Sequence, residues 1–70
     1  MHNIKLGKYL HYKGKEYEVI GVCTHSETLE QMVVYKALYG DKKLWVRPAA
    51  MWNDGVELNG TLVKRFTYVG

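Results

Sequence analysis

The sequence predicts an all-β (mainly β) protein, folded as a small five-stranded SH3-like barrel with a short helical turn near residues 48–52. Six tyrosines, two tryptophans and many valines occur in short runs separated by glycine turns, a pattern typical of strands. No apolar stripe with the 3.6-residue period of a helix lasts beyond two turns. Several runs carry apolar residues on both faces, which favours a closed barrel over a flat sheet. An open sheet completed by dimerisation is the alternative.

Turn residues divide the chain into strands. Gly21 predicts a bulge or sharp bend inside the second strand. Pro48 ends the fourth strand, and residues 49–52 are predicted to form the helical turn because proline is tolerated at first-turn positions. Turn signals at 53–55 and 59–60 bracket a short apolar run. The predicted strands are 8–12, 15–23, 31–39, 43–47 and 61–69.

Length and charge limit the functional classes. Seventy residues make a single domain, 1–70, because so short a chain cannot divide its apolar residues between two cores. Ten Lys and Arg against seven Asp and Glu give a net charge of +3, which is compatible with an anionic partner but not diagnostic of one. The N-terminal lysines precede every acid, and they either attract such a partner or solvate a strand edge.

Cysteine and histidine usage predicts a cytoplasmic protein without a metal or cofactor. Cys23 is the single cysteine, so no disulfide forms within the chain, and residues 1–6 lack the apolar run of a signal peptide. No stretch is long enough to span a bilayer. A zinc site would need Cys23, His25 and His11 together, but an unbent strand separates Cys23 from His11 by roughly 20 Å. We therefore expect Cys23 to be a small core residue.

The run 44–47 has two different faces, because side chains alternate along a strand. Leu44 and Val46 share one face, and Trp45 and Arg47 share the other. Burying Arg47 unpaired would be costly, so we expect Leu44 and Val46 to point inward. Trp45 and Arg47 are then expected on the outer, wetter face of the 31–47 hairpin, either as a binding platform or as a structural stack.

The register of this hairpin depends on its turn. If Gly40-Asp41 is a two-residue loop, Lys36 lies opposite Trp45, which allows a cation–π contact across the strands. If Lys42 joins the loop, the register slips by one residue, and Tyr35 shares the face of Trp45 instead. We expect the first register, because the second would turn Lys36 inward.

The polar loop between the second and third strands carries His25, Ser26, Glu27 and Thr28. These are the residue types of a nucleophilic triad, but consecutive residues point alternately and do not place a base beside its nucleophile. Two other interpretations stay open. The Ser26 and Thr28 hydroxyls hold backbone amides, with Thr24 and Glu27 at capping-box spacing; or His25 and Glu27 present hydrogen bonds to a ligand.

Several motifs together are specific to one family. They comprise Tyr9, His11-Tyr12-Lys13-Gly14, Tyr17, Val19, His25-Ser26-Glu27-Thr28, Glu30, Val33-Val34-Tyr35, Leu38-Tyr39-Gly40, Leu44-Trp45-Val46-Arg47-Pro48, Met51 and Arg65-Phe66. With these motifs the chain resembles a bacterial family known as domain of unknown function number 1653. The resemblance covers nearly the whole chain, and it implies no activity because none is assigned to the family.

The leading functional hypothesis is a non-enzymatic binding module. We expect single-stranded nucleic acid or a nucleotide where the polar loop meets the outer hairpin face. One alternative is a protein or peptide module that acts by strand addition or as a homodimer. Another is a small hydrolase-like enzyme using His25 and Glu27. The candidate ligand-binding residues are His25, Ser26, Glu27, Thr28, Tyr35, Trp45 and Arg47.

Overall fold

Seven short strands and one 3₁₀ turn make up the protein, seen in a computed structural model that describes residues 4–70. The signal-peptide expectation rests partly on residues 1–3, which lie outside the described residues. Residues 4–70 contain no helix of the length and apolarity that crossing a membrane requires. The strands are β1 (Gly7–His11), β2 (Glu16–Thr24), β3 (Gln31–Ala37), β4 (Leu44–Pro48), β5 (Gly55–Leu58), β6 (Thr61–Lys64) and β7 (Phe66–Tyr68), with the 3₁₀ turn at Ala49–Met51.

Five strands form one antiparallel sheet in the order β4-β3-β2-β1-β7, and β5 and β6 form a separate hairpin. The all-β prediction is confirmed, and so is the helical turn after Pro48. Closure into a barrel is not confirmed, because β4 and β7 lie at opposite edges of the sheet. The face of this open sheet that carries the buried residues Tyr9, Val19, Val33 and Phe66 is called the inner face below.

The predicted last strand, 61–69, is wrong in one respect, because it is divided at Arg65. The Arg65 N–H donates to the Asp54 carbonyl (3.1 Å), and the Arg65 carbonyl accepts from the Tyr12 N–H (2.9 Å). These two bonds tie the chain to different segments on either side of one residue. Arg65 is therefore the point at which the chain leaves the β5–β6 hairpin and joins the main sheet as β7.

A β-bulge lies where Gly21 predicted one. The β2–β3 register shifts between Val19 and Gly21, so the faces exchange beyond this point. Cys23 lies opposite Met32, on the face away from buried Val33, and its thiol is exposed. The expectation that Cys23 belongs to the core is therefore wrong, because the bulge and the free end of β2 place it outside.

The core lies on the inner face and is covered by the segment that follows β4. Trp52 is 1% exposed and stacks on Phe66 with a centroid separation of 4.1 Å and an interplanar angle of 5°. Tyr9 packs edge-on to the same indole at 5.4 Å, and Val19 and Val33 complete the buried layer. Burial of each large apolar side chain contributes about 1.5–3 kcal/mol. The covering segment is short, so part of the inner face stays open.

Candidate functional site

The hairpin turn determines which residues face each other at the site. The Ala37 N–H donates to the Lys43 carbonyl (3.0 Å), and the Lys42 N–H donates to the Tyr39 carbonyl (3.1 Å). Lys42 has φ of 54° and belongs to the turn, so Tyr35 lies opposite Trp45. The expected register, with Lys36 opposite Trp45, is wrong. A longer loop containing left-handed backbone at Lys42 replaces the two-residue turn.

The expected orientation of β4 is also wrong. Trp45 and Arg47 lie opposite Tyr35 and Val33, which places both on the inner face. Leu44 and Val46 point to the outer face and are 62% and 57% exposed. Arg47 is tolerated on the inner face because its side chain is only half-buried and its Nε donates to the Met51 carbonyl at 3.5 Å. A binding site on the outer face of the hairpin would therefore not contain Trp45 or Arg47.

The open part of the inner face is a cavity of about 320 Å³ lined by Tyr17, Tyr35, Tyr39 and Trp45, called the aromatic groove below. The ring of Tyr17 meets those of Tyr35 and Tyr39 edge-to-face, each at 5.5 Å. The Tyr17 and Tyr39 hydroxyls are hydrogen-bonded to each other. Burial, together with this bond, raises the pKa of Tyr17 to about 12, so the phenol stays protonated at neutral pH.

A second cavity, of about 220 Å³, adjoins the first. Tyr39 and Trp45 line both cavities, and the turn residues from Gly40 to Lys43 form the rest of its wall with Ala37. The groove therefore continues past Trp45 toward a turn that carries Asp41 and two lysines. Lys15 adds a further cation, with its Nζ 5.1 Å from the centroid of the Tyr39 ring.

Two arginines supply positive charge beside the aromatic groove. Burial raises the pKa of Tyr35, while the guanidinium groups of Arg47 and Arg65 act to lower it. Burial lowers the pKa of His11, and the positive charges of Arg65, Lys13 and Arg47 lower it further. The Arg65 Nε is buried and has no hydrogen-bond partner within residues 4–70. A buried donor without a partner is uncommon in native proteins and needs an explanation.

The loop that contains His25 is organised by its own imidazole. His25 Nδ1 accepts from the N–H groups of Glu27 (3.1 Å) and Thr28 (3.3 Å). The Thr28 hydroxyl accepts from the Glu30 N–H at 3.2 Å, as expected for a hydroxyl that holds a backbone amide. The Thr24 hydroxyl instead accepts from the Gln31 side chain at 3.0 Å. Because His25 Nδ1 accepts from backbone amides, the neutral imidazole carries its proton on Nε2, so neither nitrogen is free to take a proton from a nucleophile.

The structure brings only some of the candidate residues together. Tyr35 and Trp45 line one cavity, and Arg47 follows Trp45 on the same face. The His25–Thr28 loop lies at the other end of β3, beyond the Thr24–Gln31 pair, and lines neither cavity. Within residues 4–70 no three His, Cys, Asp or Glu side chains gather as metal ligands.

Sequence reasoning missed four residues of this region. They are His11, Tyr17, Tyr39 and Arg65, none of which is among the ligand-binding residues predicted from the sequence. Tyr17 had a usable signal, because it alternates with Val19 and must share that residue's inner face. Arg65 had none, since its surroundings come from β1 and β3, far away in the sequence.

Fold and groove together define a small protein with an open antiparallel sheet and an aromatic groove on its inner face. Residues 7–68 match the family model described as "Protein of unknown function (DUF1653)". The chain therefore belongs to the DUF1653 family, which confirms the resemblance noted in the sequence. A crystal structure of a DUF1653 protein from Bordetella bronchiseptica is similar, with 36% identity, a TM-score of 0.88, and coverage of 97% of this chain and 90% of that one. No curated protein matches the chain.

Proposed function

We propose that this chain is a non-enzymatic binding module that holds single-stranded nucleic acid in the aromatic groove. The observation that carries the proposal is an open groove lined by four aromatic side chains, with the positive charges of Arg47 and Arg65 acting on Tyr35 from beside it. Proteins that bind single strands without base pairing combine stacking platforms with cations that follow the phosphates. The main sheet would provide this stacking platform. We propose that the fold be grouped with the small SH3-like barrels.

Trp45 is the side chain best placed to stack a base. Its indole is 52% exposed and lies at the junction of the two cavities. Tyr17, Tyr35 and Tyr39 are held in place by one another, so the groove needs little reorganisation on binding. Removal of one stacking aromatic costs about 1–3 kcal/mol per base, which corresponds to about 5- to 150-fold in affinity.

The positive charge of the groove is suited to phosphates. Lys42 and Lys43 line the second cavity with Asp41, and Lys15 lies over the Tyr39 ring. The charges of Arg47 and Arg65 act on Tyr35, so cations outnumber acids among these residues. Arg65 lines neither cavity and its Nε is buried, so in this proposal its guanidinium acts through its charge beside Tyr35 and not through a direct bond to the ligand. In this proposal the His25–Thr28 loop supports the end of the hairpin and does not contact the ligand. We propose a cytoplasmic location for the protein, and the exposed free thiol of Cys23 fits that reducing compartment.

The test is the binding of labelled oligo(dT) and oligo(U), followed by fluorescence anisotropy over a range of salt concentrations. Affinity should fall with salt by a log–log slope of about −0.7 for each phosphate contacted. Trp45→Ala should lower affinity by about 5- to 150-fold at constant salt. Tyr68→Ala is the matched aromatic control, because Tyr68 is partly exposed at the opposite edge of the sheet. A flat salt response, or equal losses in the two variants, would contradict the proposal.

A comparison of arginine with lysine variants tests the electrostatic part. Arg47→Ala should weaken binding and reduce the salt slope by about one contact. Lys8→Ala removes the same charge from an exposed outer position on β1 and should do neither. Saturation by a mononucleotide at equal affinity would identify a nucleotide pocket and overturn the assignment to a strand.

A further inference from the structure

The free edge of β4 is an exposed surface apart from the aromatic groove. This strand ends the main sheet, and β3 is its one partner among the described strands. Leu44, Trp45 and Val46 are each more than half exposed, so the edge presents apolar side chains on both faces. Edge strands are usually protected by charges or irregularities, and an exposed apolar edge is a template for strand pairing.

The backbone groups available at this edge can be assigned from the β3–β4 ladder. The Ala37 N–H donates to the Lys43 carbonyl, and the register places Trp45 opposite Tyr35. Antiparallel ladders alternate, so Lys43, Trp45 and Arg47 direct their N–H and C=O groups toward β3. Leu44 and Val46 therefore direct theirs outward, together with the Pro48 carbonyl.

We propose that two copies of this chain pair through antiparallel β4 strands, with the two-fold axis at Val46. This register lets the two Val46 residues exchange two hydrogen bonds. Each Leu44 N–H also donates to the Pro48 carbonyl of the other copy. Pro48 needs no donor partner, because it has no N–H. Val46 packs on Val46 and Leu44 on Pro48, which buries apolar surface on the outer face.

Two neighbouring registers, centred on Trp45 and on Arg47, would also place the inner faces of both copies on the same side. The charges of the paired residues favour the register centred on Val46 over both. Centring the pair on Trp45 would oppose Lys43 to Arg47 of the second copy, and centring it on Arg47 would oppose the two arginines. Like charges directly opposite each other are destabilising. Centring on Val46 instead sets Trp45 opposite Arg47 of the second copy twice, a cation–π arrangement. The strand is thus self-complementary, as a two-fold interface requires.

The pairing would add a residue to each aromatic groove. Trp45 lines both cavities, and in the pair it faces the guanidinium of the other copy's Arg47. The two main sheets become one, and their grooves meet across the two-fold axis. This inference concerns β4 alone and does not depend on the ligand proposed above.

Sedimentation and mass measurement on the full chain test the pairing. Val46→Lys places two ammonium groups on the axis and should halve the mass, while leaving the circular dichroism spectrum unchanged because Val46 is already exposed. Ile20→Lys is the matched control, since Ile20 is 49% exposed on β2, a central strand, and this variant should remain a dimer. A wild-type mass of one chain at a chain concentration of about 1 mM would overturn the proposal, because it would mean that pairing is weaker than millimolar.

Cross-linking tests the register separately. In a Cys23→Ser background, Val46→Cys should form an intermolecular disulfide on mild oxidation, because paired residues in this type of bridge have Cα atoms about 5.5 Å apart. Leu44→Cys should cross-link far less, because Leu44 faces Pro48 of the second copy. Preferential cross-linking through Leu44→Cys, or none through Val46→Cys in a protein of dimeric mass, would overturn the β4 register.

Discussion

Replacement of Arg65 by methionine should make the free protein more stable and weaken its binding of nucleic acid. Arg65 has a buried Nε without a hydrogen-bond partner within residues 4–70. Its backbone bonds to Asp54 and Tyr12 do not depend on the side chain. Methionine has a similar length and no polar hydrogen, so Arg65→Met keeps the packing and removes the orphaned donor.

The expected gain can be worked from that donor. Leaving a buried donor unsatisfied costs about 1–3 kcal/mol. The rest of the Arg65 side chain is partly exposed, so some of its packing and solvation is lost with the change. We expect a net gain in the free energy of unfolding of about 1 kcal/mol at the low end of this range. For a domain of this size, that moves the urea midpoint by about 1 M and Tm by about 4–8 °C.

Urea unfolding followed by circular dichroism measures this gain. Lys64→Met is the matched control, because Lys64 is the exposed neighbour of Arg65, and we expect its midpoint to stay unchanged. The oligonucleotide assay then measures the cost in affinity. A loss of 1 kcal/mol or more in Arg65→Met would refute the reasoning, since it would make the guanidinium a structural group. Greater stability with unchanged affinity would refute its role in the groove.

Three further predictions concern the scaffold. The lowered pKa of His11 means that the folded state favours the neutral imidazole. The free energy of unfolding should therefore be highest above about pH 6.5 and should fall as pH drops below it. In His11→Gln, the urea midpoint should depend less on pH in this range. Gly60→Ala should lower the free energy of unfolding by about 1 kcal/mol in a thermal melt, because Gly60 has φ of 80°. Gly21→Ala should leave it unchanged, since an added Cβ there meets no atom within 4 Å. Trp52→Ala should lower the free energy of unfolding by about 3–5 kcal/mol, which is most of the stability of a 70-residue protein. A cooperative melt close to that of wild type would contradict the central place of Trp52 in the core.

Local chemistry made most strands predictable. Asn59 and Gly60 both have positive φ, at 52° and 80°, which fits the mirror-image turn expected of an Asn-Gly pair in a hairpin. Gly21 marked the bulge, and Pro48 marked the end of β4. Each of these residues restricts its own backbone, so its effect appears within a few positions in the sequence.

The division at Arg65 and the open sheet were not predictable in the same way. Arg65 changes partners because its backbone bonds to Asp54 on one side and Tyr12 on the other, and the second contact spans most of the chain. Barrel closure depends on whether β4 and β7 meet, which is a matter of sheet curvature. No residue in β4 or β7 has a local conformational preference that determines this curvature.

The orientation of Trp45 and Arg47 shows why the candidate site was only partly predictable. The sequence kept these residues on one face, and the structure does so too. The choice of face assumed that an inner face is dry, but the segment containing Trp52 covers only part of it. The expected register of the hairpin was also wrong, because Lys42 has a positive φ, which is uncommon for residues other than glycine.

The position of Tyr35 links the stability of the domain to the occupancy of its groove. One side of this ring meets the buried indole of Trp52 at 5.0 Å, and another meets Tyr17 at 5.5 Å in the groove wall. A ligand that contacts Tyr35 in the groove therefore contacts a side chain that also packs against the buried core. Hydrogen exchange along β3 should slow whenever the groove is filled, so the amides of this strand would report occupancy for guests that carry no label.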